Sequence, residues 1–154
     1  MLIATWNVNS IRTRLSQIID WINQVNPDIL CLQETKVMDD DFPFEPFEKL
    51  GYSLEIYGQK SYNGVAIISK IKPENVKKGF NGCTDSNQNP EIFLDQKRLI
   101  SADINGIKII NVNVPNGSSL ESSKFAYKIN WLNCLSSFLD EQAKKGQLLS
   151  LIHI

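Results

Sequence analysis

The sequence predicts a single α/β domain, and three observations support that prediction. Short apolar runs such as Ile29–Leu32 alternate with segments whose apolar residues repeat at helical spacing. Up to Leu32 the chain reads strand, helix, strand, which is the pattern of a βαβ unit. Asn105-Gly106 separates two runs rich in β-formers, which is the strongest short-range hairpin signal. With 154 residues, the chain is long enough for one domain, over 1–154, with a substantial core.

Composition narrows the class of protein. Hydrophobic residues at 42% and charged residues at 21% are ordinary for a globular chain, and the formal net charge of −1 gives no overall attraction to nucleic acid or membrane. No apolar run is long enough to span a membrane, and Met1 leads into a strand without a signal peptide. The three cysteines lack metal-ligand spacing, and Cys31 and Cys134 lie in apolar runs. We therefore expect reduced thiols and a cytoplasmic protein.

The amino-terminal half is predicted to contain four strands and a helix. The strands are Leu2–Val8, Ile29–Leu32, Ser53–Tyr57 and Val65–Ser69. The helix, capped by Asn9 or Ser10, should bury Ile11, Leu15, Ile18, Ile19, Ile22 and Val25. The acidic Asp39-Asp40-Asp41 triplet favours a solvated loop over a metal site, because consecutive carboxylates cannot easily face one ion.

The carboxy-terminal half is predicted to begin with an irregular loop, Gly79–Pro90. Two strands follow, at about Arg98–Ile104 and Ile107–Val114. Ser118-Ser-Leu-Glu is a capping-box pattern, so we expect a long helix to begin there and to end at Lys144-Lys145-Gly146. Its predicted buried stripe is Phe125, Ile129, Leu132, Leu135 and Leu139, and a further strand should begin within Gln147–Ile154. Trp6, Trp21 and Trp131 are expected in the core.

Polar residues collect where the predicted strands end. The run Ile29–Leu32 stops at Gln33-Glu34-Thr35-Lys36, so a carboxylate follows a buried strand, and Asn7 lies near the end of the first strand. Parallel sheets place ligands at the carboxyl ends of their strands. One carboxylate with amide oxygens suits Mg²⁺ or Mn²⁺, which retain several waters and bind substrate phosphate. Taken alone, however, the Glu34 segment is better interpreted as a strand end that meets solvent.

Four segments occur in a recognisable order: Thr5–Arg12, Pro27–Lys36, Tyr62–Ile67 and Val114–Gly117. Together they resemble the exonuclease III family of apurinic/apyrimidinic endonucleases, in the endonuclease/exonuclease/phosphatase superfamily. The resemblance implies a four-layer α/β sandwich, incomplete on its carboxy-terminal side. It also implies a monomeric Mg²⁺-dependent phosphodiesterase of base-excision repair. Its partner would be double-stranded DNA, cut 5′ to abasic sites or trimmed by 3′-5′ exonuclease activity from 3′ ends.

The resemblance implies roles for individual residues. Glu34 would hold the metal and Asn7 would orient that carboxylate or a ligand water. The ion would act as a Lewis acid on the scissile phosphate. Arg98 matches an arginine at the start of a family strand. The other implied DNA contacts are Arg12, Arg14, Lys36, Tyr62, Asn63 and Asn116.

Structural interpretations of the same residues stay open. Asn7 could cap the following turn, and Arg98 could be an ion-pair partner. Arg12 and Arg14 could be solvated charges on the exposed face of the first helix.

Two departures from the family affect the expected activity. Asn113 stands where the family has a tyrosine that contacts the scissile phosphate, and losing one such donor costs roughly 3–4 kcal/mol of transition-state stabilisation. The family also continues into Gly-Asp-x-Asn and ends with Ser-Asp-His. This chain instead reads Leu148–Ile154, and His153 is not assigned the catalytic role. We therefore expect a truncated chain, perhaps with an unrelated tail after Leu149, that is inactive alone and poorly soluble.

Two alternatives to an abasic-site nuclease remain. One is a non-catalytic fragment with weak or no DNA binding, which the departures at Asn113 and Leu148–Ile154 favour. The other is a phosphodiesterase or phosphatase of the same superfamily acting on phospholipid or inositol phosphate. The segments Gln33–Lys36 and Tyr62–Val65 favour the DNA-directed branch.

Overall fold

Two four-stranded sheets pack face to face in the computed structural model, which describes residues 1–80, 93, 95–144 and, as backbone, 148–153. The first sheet has the order β1-β2-β4-β3, and its strands are β1 Ile3–Asn7, β2 Ile29–Gln33, β3 Ser53–Tyr57 and β4 Val65–Ser69. The second has the order β5-β6-β7-β8, with β5 Glu74–Lys78, β6 Leu99–Ile104, β7 Ile107–Val112 and β8 Leu148–His153. Of the six neighbouring strand pairs described, β1–β2 and β7–β8 are parallel and the other four are antiparallel.

Three apolar clusters define four layers. Helices α1 (Ile11–Val25) and α2 (Glu45–Glu48) pack on the outer face of the first sheet, around Leu30, Leu32 and Phe47. Helix α3 (Ser123–Ala143) packs on the outer face of the second sheet. Between the sheets lie the alternate residues of both, including Cys31 and Ile100. The predicted four-layer α/β sandwich is confirmed.

The βαβ unit predicted at the amino terminus is confirmed. Strand β1 pairs in parallel with β2, and α1 connects them. Ser10 is the N-cap, and its hydroxyl accepts a hydrogen bond from the Thr13 N–H at 3.4 Å. The predicted apolar face is buried or half-buried except at Val25, which is 38% exposed because it lies in the last turn.

For the long helix, the predicted N-cap was wrong and the predicted buried stripe was right in part. Its N-cap is Ser122 and not Ser118, because Ser118 has a left-handed φ of 56° and its N–H bonds to the Asn116 side chain. The Ser122 hydroxyl accepts from the Phe125 N–H at 3.1 Å and donates to the Gly117 carbonyl at 2.8 Å. The predicted stripe is confirmed in part: Leu135 is buried, and Leu132 and Leu139 pack against the same apolar cluster, but Ile129 is 40% exposed. The other buried positions of the helix are Trp131, Cys134, Phe138 and Gln142.

Strand β5 was not predicted, because the sequence Glu-Asn-Val-Lys-Lys lacks a run of apolar residues. It is an edge strand, where charged residues are common. Strands β3 and β4 have their predicted bounds, and Asn105 and Gly106 have positive φ angles of 52° and 79° in the predicted hairpin turn. The expected final strand is present as β8. Most of the predicted loop Gly79–Pro90 lies outside the described residues, as do Cys83 and Lys145-Gly146.

The predictions for the tryptophans, the cysteines and membrane-spanning segments can be compared with the described residues. Trp131 is fully buried, whereas Trp6 and Trp21 are half-buried and pack edge to face with centroids 5.9 Å apart. Cys31 is a buried free thiol, and Cys134 is buried as well. Within the described residues, no helix combines the length and apolar character needed to cross a membrane.

Candidate active site

Five predicted site residues come together at one end of the sandwich. Asn7 ends β1, Glu34 follows β2, Asn63 precedes β4, Arg98 precedes β6 and Asn113 follows β7. The sheet pairing explains this, because β4 runs antiparallel to β2 and β6 runs antiparallel to β7. The carboxyl ends of some strands therefore meet the amino ends of others. Residues far apart in sequence thus share one surface.

The Glu34 carboxylate is held by the Asn7 amide. Asn7 Nδ2 donates to Glu34 Oε1 at 2.8 Å, and Asn7 Oδ1 accepts from the Asn9 N–H at 3.2 Å. The second bond fixes which end of the amide faces the carboxylate. The hydrogen bond from Asn7 is the main cause that lowers the pKa of Glu34, with smaller contributions from Lys36 and Arg98. Glu34 is therefore an oriented anion, with 32% of its side chain exposed.

Lys36 lies on the other side of this carboxylate. Its ammonium is 3.2 Å from Glu34 Oε2 and also donates a hydrogen bond to Asn9 Oδ1. Both ends of the Glu34 carboxylate thus have a donor, an amide on one oxygen and a cation on the other.

The backbone around Glu34 is strained. Glu34, Lys36 and Asn63 have left-handed φ angles of 54°, 58° and 47°, a conformation that costs a non-glycine residue about 1–2 kcal/mol. Hydrogen bonds from the Thr35 N–H to the Gly64 carbonyl and from the Lys36 N–H to the Asn63 carbonyl, at 3.2 and 3.0 Å, tie the two loops together. Such strained residues cluster at functional sites.

Arg98 and Asn113 form the part of the site that belongs to the second sheet. The Asn113 N–H donates to the Arg98 carbonyl at 2.8 Å, and Arg98 Nη1 donates to the Asn113 carbonyl at 3.1 Å. Two groups from different parts of the fold act on the Arg98 side chain, the Tyr127 hydroxyl on α3 and the Glu34 carboxylate after β2. Burial lowers the pKa of Arg98, and the nearby Glu34 charge opposes that shift.

Sequence reasoning missed a buried amide bridge beneath this surface. Gln33 Nε2 donates to Asn111 Oδ1 at 2.7 Å and to Thr5 Oγ1 at 2.9 Å. Asn111 Nδ2 donates to the carbonyls of Leu32 and Ala66, both at 2.9 Å. Asn111 therefore joins the second sheet to the first with three hydrogen bonds. An Asn inside the apolar run Ile107–Val112 was the available signal, since a buried amide needs partners.

The remaining predicted DNA contacts surround this cluster without joining it. Arg12 forms an exposed ion pair with Asp41 at 3.3 Å, so the acidic triplet supplies a partner to α1. Arg14 is half-buried on the same helix. Tyr62 is 69% exposed, beside the strained Asn63. Asn116 is exposed, and its Oδ1 accepts from the Ser118 N–H at 3.0 Å.

The donor set near Glu34 fits a weakly held hard cation. Glu34 offers an ionised, partly exposed carboxylate whose orientation Asn7 fixes. Among the described residues, no group of three or more His, Cys, Asp or Glu side chains could hold a metal. Mg²⁺ requires no more than one or two carboxylates when waters and substrate phosphate complete its shell. Asn7 points its nitrogen at Glu34, so it suits an orienting role better than direct ligation.

The fold and this cluster define a class of two-sheet α/β sandwiches with an oriented carboxylate at one end, and comparison with known sequences identifies the family. The model of the endonuclease/exonuclease/phosphatase family matches residues 4–127, and the chain belongs to that family. It is 34% identical over 151 residues to exodeoxyribonuclease III of Haemophilus influenzae, covering 95% of this chain and 54% of that protein.

Solved structures agree with this assignment. A 3′-5′ exonuclease (NExo) from Neisseria meningitidis matches with a TM-score of 0.89 and 38% identity, over 99% of this chain and 57% of that one. An AP endonuclease from Archaeoglobus fulgidus matches with a TM-score of 0.81 and 44% identity. That match covers 92% of this chain and 52% of the other. The predicted resemblance to the exonuclease III family is confirmed. The chain spans about half the length of these relatives.

Proposed function

We propose that the chain belongs to a Mg²⁺-dependent DNA phosphodiesterase of base-excision repair that cleaves 5′ to abasic sites and has 3′-5′ exonuclease activity. The observation that carries this proposal is the Glu34 carboxylate, held by Asn7 and facing the half-buried Arg98 across the end of the sandwich. A phosphodiester needs both a cation near its oxygens and donors for its charge. Relatives named as an exodeoxyribonuclease III and an AP endonuclease support DNA as the substrate.

In this proposal the described residues have different roles in binding the metal and the DNA. Glu34 would hold Mg²⁺ (or Mn²⁺), and Asn7 would keep the carboxylate oriented. The ion would supply Lewis-acid polarisation of the scissile phosphate and stabilise the leaving oxygen. Lys36 and Arg98 would balance phosphate charge at the centre of the site. The DNA backbone farther out would be contacted by Arg12, Arg14, Tyr62, Asn63 and Asn116, which would position the duplex without reading sequence.

A second candidate is a non-catalytic protein that binds DNA weakly, and Asn113 favours it. Asn113 is 5% exposed, and its backbone pairs with Arg98 where the family has a tyrosine. An amide is shorter than a phenol and cannot ionise, so we propose that the 154-residue chain alone does not cleave DNA at a useful rate. A phosphatase or phosphodiesterase with a non-DNA substrate is a third possibility that the family description permits.

The test is cleavage of a duplex containing one abasic site, with Mg²⁺, by the chain and by a chimera that adds the carboxy-terminal part of the Haemophilus influenzae relative. We expect cleavage by the chimera alone, loss of cleavage in its Glu34→Gln variant, and a gain of about 10²–10³-fold in its Asn113→Tyr variant. A well-folded chimera that cleaves no abasic DNA even with Asn113→Tyr would contradict the DNA-directed proposal. Cleavage by the unmodified chain, abolished by Glu34→Gln, would contradict its inactivity.

Three further expectations complete the proposal. We infer that residues 1–154 form one domain, because the third apolar cluster joins the two sheets. We infer a cytoplasmic location, because the buried Cys31 is not in a disulfide. We also propose that the protein acts on double-stranded DNA as a monomer, which sedimentation with and without a duplex would test.

A further inference from the structure

The loop 58–64, which joins β3 to β4 in the first sheet, is also bonded to the second sheet. The Gly64 N–H donates to the Lys97 carbonyl at 2.9 Å, and the Lys97 N–H donates to Gln59 Oε1 at 3.1 Å. Lys97 directly precedes Arg98 of the candidate active site. Both backbone groups of the residue before Arg98 are therefore held by one loop of the other sheet.

The side-chain oxygen of Gln59 accepts two hydrogen bonds. Besides the Lys97 N–H, Asn63 Nδ2 donates to it at 2.8 Å. A backbone N–H can only donate, so the atom of Gln59 that faces Lys97 must be the oxygen, which fixes how the amide is turned. Gln59 is half-buried and thus joins the Asn63 side chain to the segment before β6.

The loop that Gln59 holds has an unfavourable backbone conformation. Ser61, Asn63 and Gly64 have left-handed φ angles of 66°, 47° and 86°. Residues other than glycine adopt this conformation at a cost and keep it only where the surrounding structure holds it. Tyr62 lies between them and is 69% exposed. Contacts from outside the loop are therefore needed to keep Tyr62 and Asn63 in one position.

Asp39 fixes the start of the same loop. Its Oδ1 accepts from the Gly58 N–H at 2.5 Å, and its Oδ2 accepts from Lys78 Nζ of β5 at 3.1 Å. A Cβ on Gly58 would overlap the Val37 carbonyl oxygen, so the close approach requires glycine. Asp39 therefore holds the first residue of the loop, whereas Gln59 joins the middle of the loop to the segment that carries the active-site arginine.

We propose that Gln59 is a positioning residue whose side-chain oxygen holds the Tyr62–Asn63 loop at a fixed distance from Arg98. This inference rests on the proposed function, in which the loop and the arginine contact the same DNA. Groups that contact one substrate contribute most when they are held in position before the substrate binds. Gln59 acts in this proposal through Asn63 and Lys97, and it makes no contact with the reacting phosphate.

The first experiment needs no DNA and measures hydrogen exchange at the Lys97 amide in the isotope-labelled 154-residue chain. Gln59→Met keeps the length of the side chain but removes the acceptor, so exchange at Lys97 should become about tenfold faster. Gln59→Glu keeps an oxygen for the same two donors and should restore the slow exchange of the parent. Exchange that Gln59→Met leaves unchanged, or that is equally fast in Gln59→Glu, would overturn the proposal.

The matched control is Gln24→Met, which makes the same change at an exposed position in the last turn of α1. It should leave exchange at Lys97 as slow as in the parent. Exchange at the buried strand amides reports whether each variant keeps its overall stability. Faster exchange throughout the chain in Gln59→Met would show a general loss of stability, and that result would also overturn the proposal.

The second experiment measures binding of a duplex with one abasic site by fluorescence anisotropy, in EDTA at fixed ionic strength. Gln59→Met should raise Kd about fivefold, because the duplex must then order the loop itself. In a double-mutant cycle, Tyr62→Ala should cost less affinity in the Gln59→Met background than in the parent, since a loop that is not held gains less from its tyrosine. Strictly additive losses would overturn the positioning role.

The two experiments separate this inference from the proposed function. A parent chain that binds no duplex, while exchange at Lys97 changes as expected, would count against DNA as the substrate and would support the hold of Gln59 on the loop. A parent that binds the duplex, with exchange at Lys97 unaffected by Gln59→Met, would support DNA binding and refute the role of Gln59.

Discussion

Glu34 in the first sheet and Arg98 in the second lie at the same end of the sandwich but differ in how their charges are balanced. The Glu34 carboxylate has a donor on each oxygen, from Asn7 and from Lys36. Arg98 has neutral acceptors and, among the described residues, no carboxylate within ion-pair distance. One half of the site thus holds an oriented anion, and the other holds a cation that has no ion-pair partner among the described residues. A phosphodiester with a bound cation would suit both halves.

The two halves work together only if the sheets keep their relative position. Asn111 supplies that connection with three hydrogen bonds to the first sheet, 2.7–2.9 Å long, directly beneath the site. Left-handed backbone close to the site, in contrast, is found at Glu34 and Lys36 and in the Asn63 loop that contacts them. We therefore expect stability to depend most on the bridge, then on the loop contact, and least on the outer charges.

The largest expected effect is that of Asn111→Ala. It removes three hydrogen bonds and leaves the buried Gln33 amide without its strongest acceptor, so the free energy of unfolding should fall by about 4 kcal/mol. Urea denaturation measures this. Asn133→Ala, on an exposed position of α3, is the matched control and should stay within about 0.5 kcal/mol of the parent. Equal effects of the two variants would show that the bridge does not join the halves.

The second prediction concerns the loop contact at Gly64. A Cβ on Gly64 would lie 2.2 Å from Thr35 Oγ1, and the residue has a φ of +86°. Gly106 has a similar φ of +79° but has no atom within 4 Å of such a Cβ. Gly106→Ala should therefore cost only the left-handed conformation, about 1–2 kcal/mol, whereas Gly64→Ala should cost roughly 3 kcal/mol. Equal losses of unfolding free energy would mean that Thr35 moves aside without penalty.

The sequence predicted the elements whose signal is local. Asn105-Gly106 predicted the hairpin, and the order strand, helix, strand from Leu2 to Leu32 predicted the βαβ unit. The start of α3 was misplaced because a cluster of serines offers several possible caps, and the cap that forms is the one whose hydroxyl lies near the Gly117 and Ser119 carbonyls. Strand β5 was missed because its strand character comes from pairing with β6 and not from its own residues.

For the candidate site, motifs identified the individual residues but not their interactions. Glu34 and Asn7 came from the strand-end pattern and the family resemblance, and the structure places them in direct contact. The Gln33–Asn111 bridge could not be predicted, because it depends on how the two sheets face each other. The same holds for Tyr127, which reaches Arg98 only through the packing of α3 on the second sheet. Contacts between distant segments are tertiary information that local patterns lack.

The third prediction tests the balance of charge at Glu34. Asn7 is the main cause of its lowered pKa, so Asn7→Ala should raise the pKa of Glu34 toward the ordinary value of 4.5. A lowered pKa in the folded state stabilises the protein above the unfolded pKa, and this stabilisation is lost as the pH falls through the folded value. The parent should therefore lose more stability below pH 4.5 than the variant does.

Carboxyl-carbon NMR titration of Glu34 measures this shift, and urea melts at several acidic pH values measure the linked stability. Asn23→Ala, on an exposed position of α1, should leave the titration unchanged. A Glu34 titration that is identical in Asn7→Ala and the parent would show that Lys36, and not Asn7, controls the carboxylate.

The smallest expected effect on stability is that of Arg12→Gln. The Arg12–Asp41 pair is 3.3 Å apart with both side chains more than half exposed, so its loss should change the free energy of unfolding by less than about 0.5 kcal/mol. If Arg12 contacts DNA phosphate as proposed, the same variant should reduce the slope of log binding constant against log salt concentration by about 1. Asp41→Asn is the control, because it breaks the same pair without removing the cation. A large loss of stability in both variants would instead mean that the pair fastens α1 to the acidic turn.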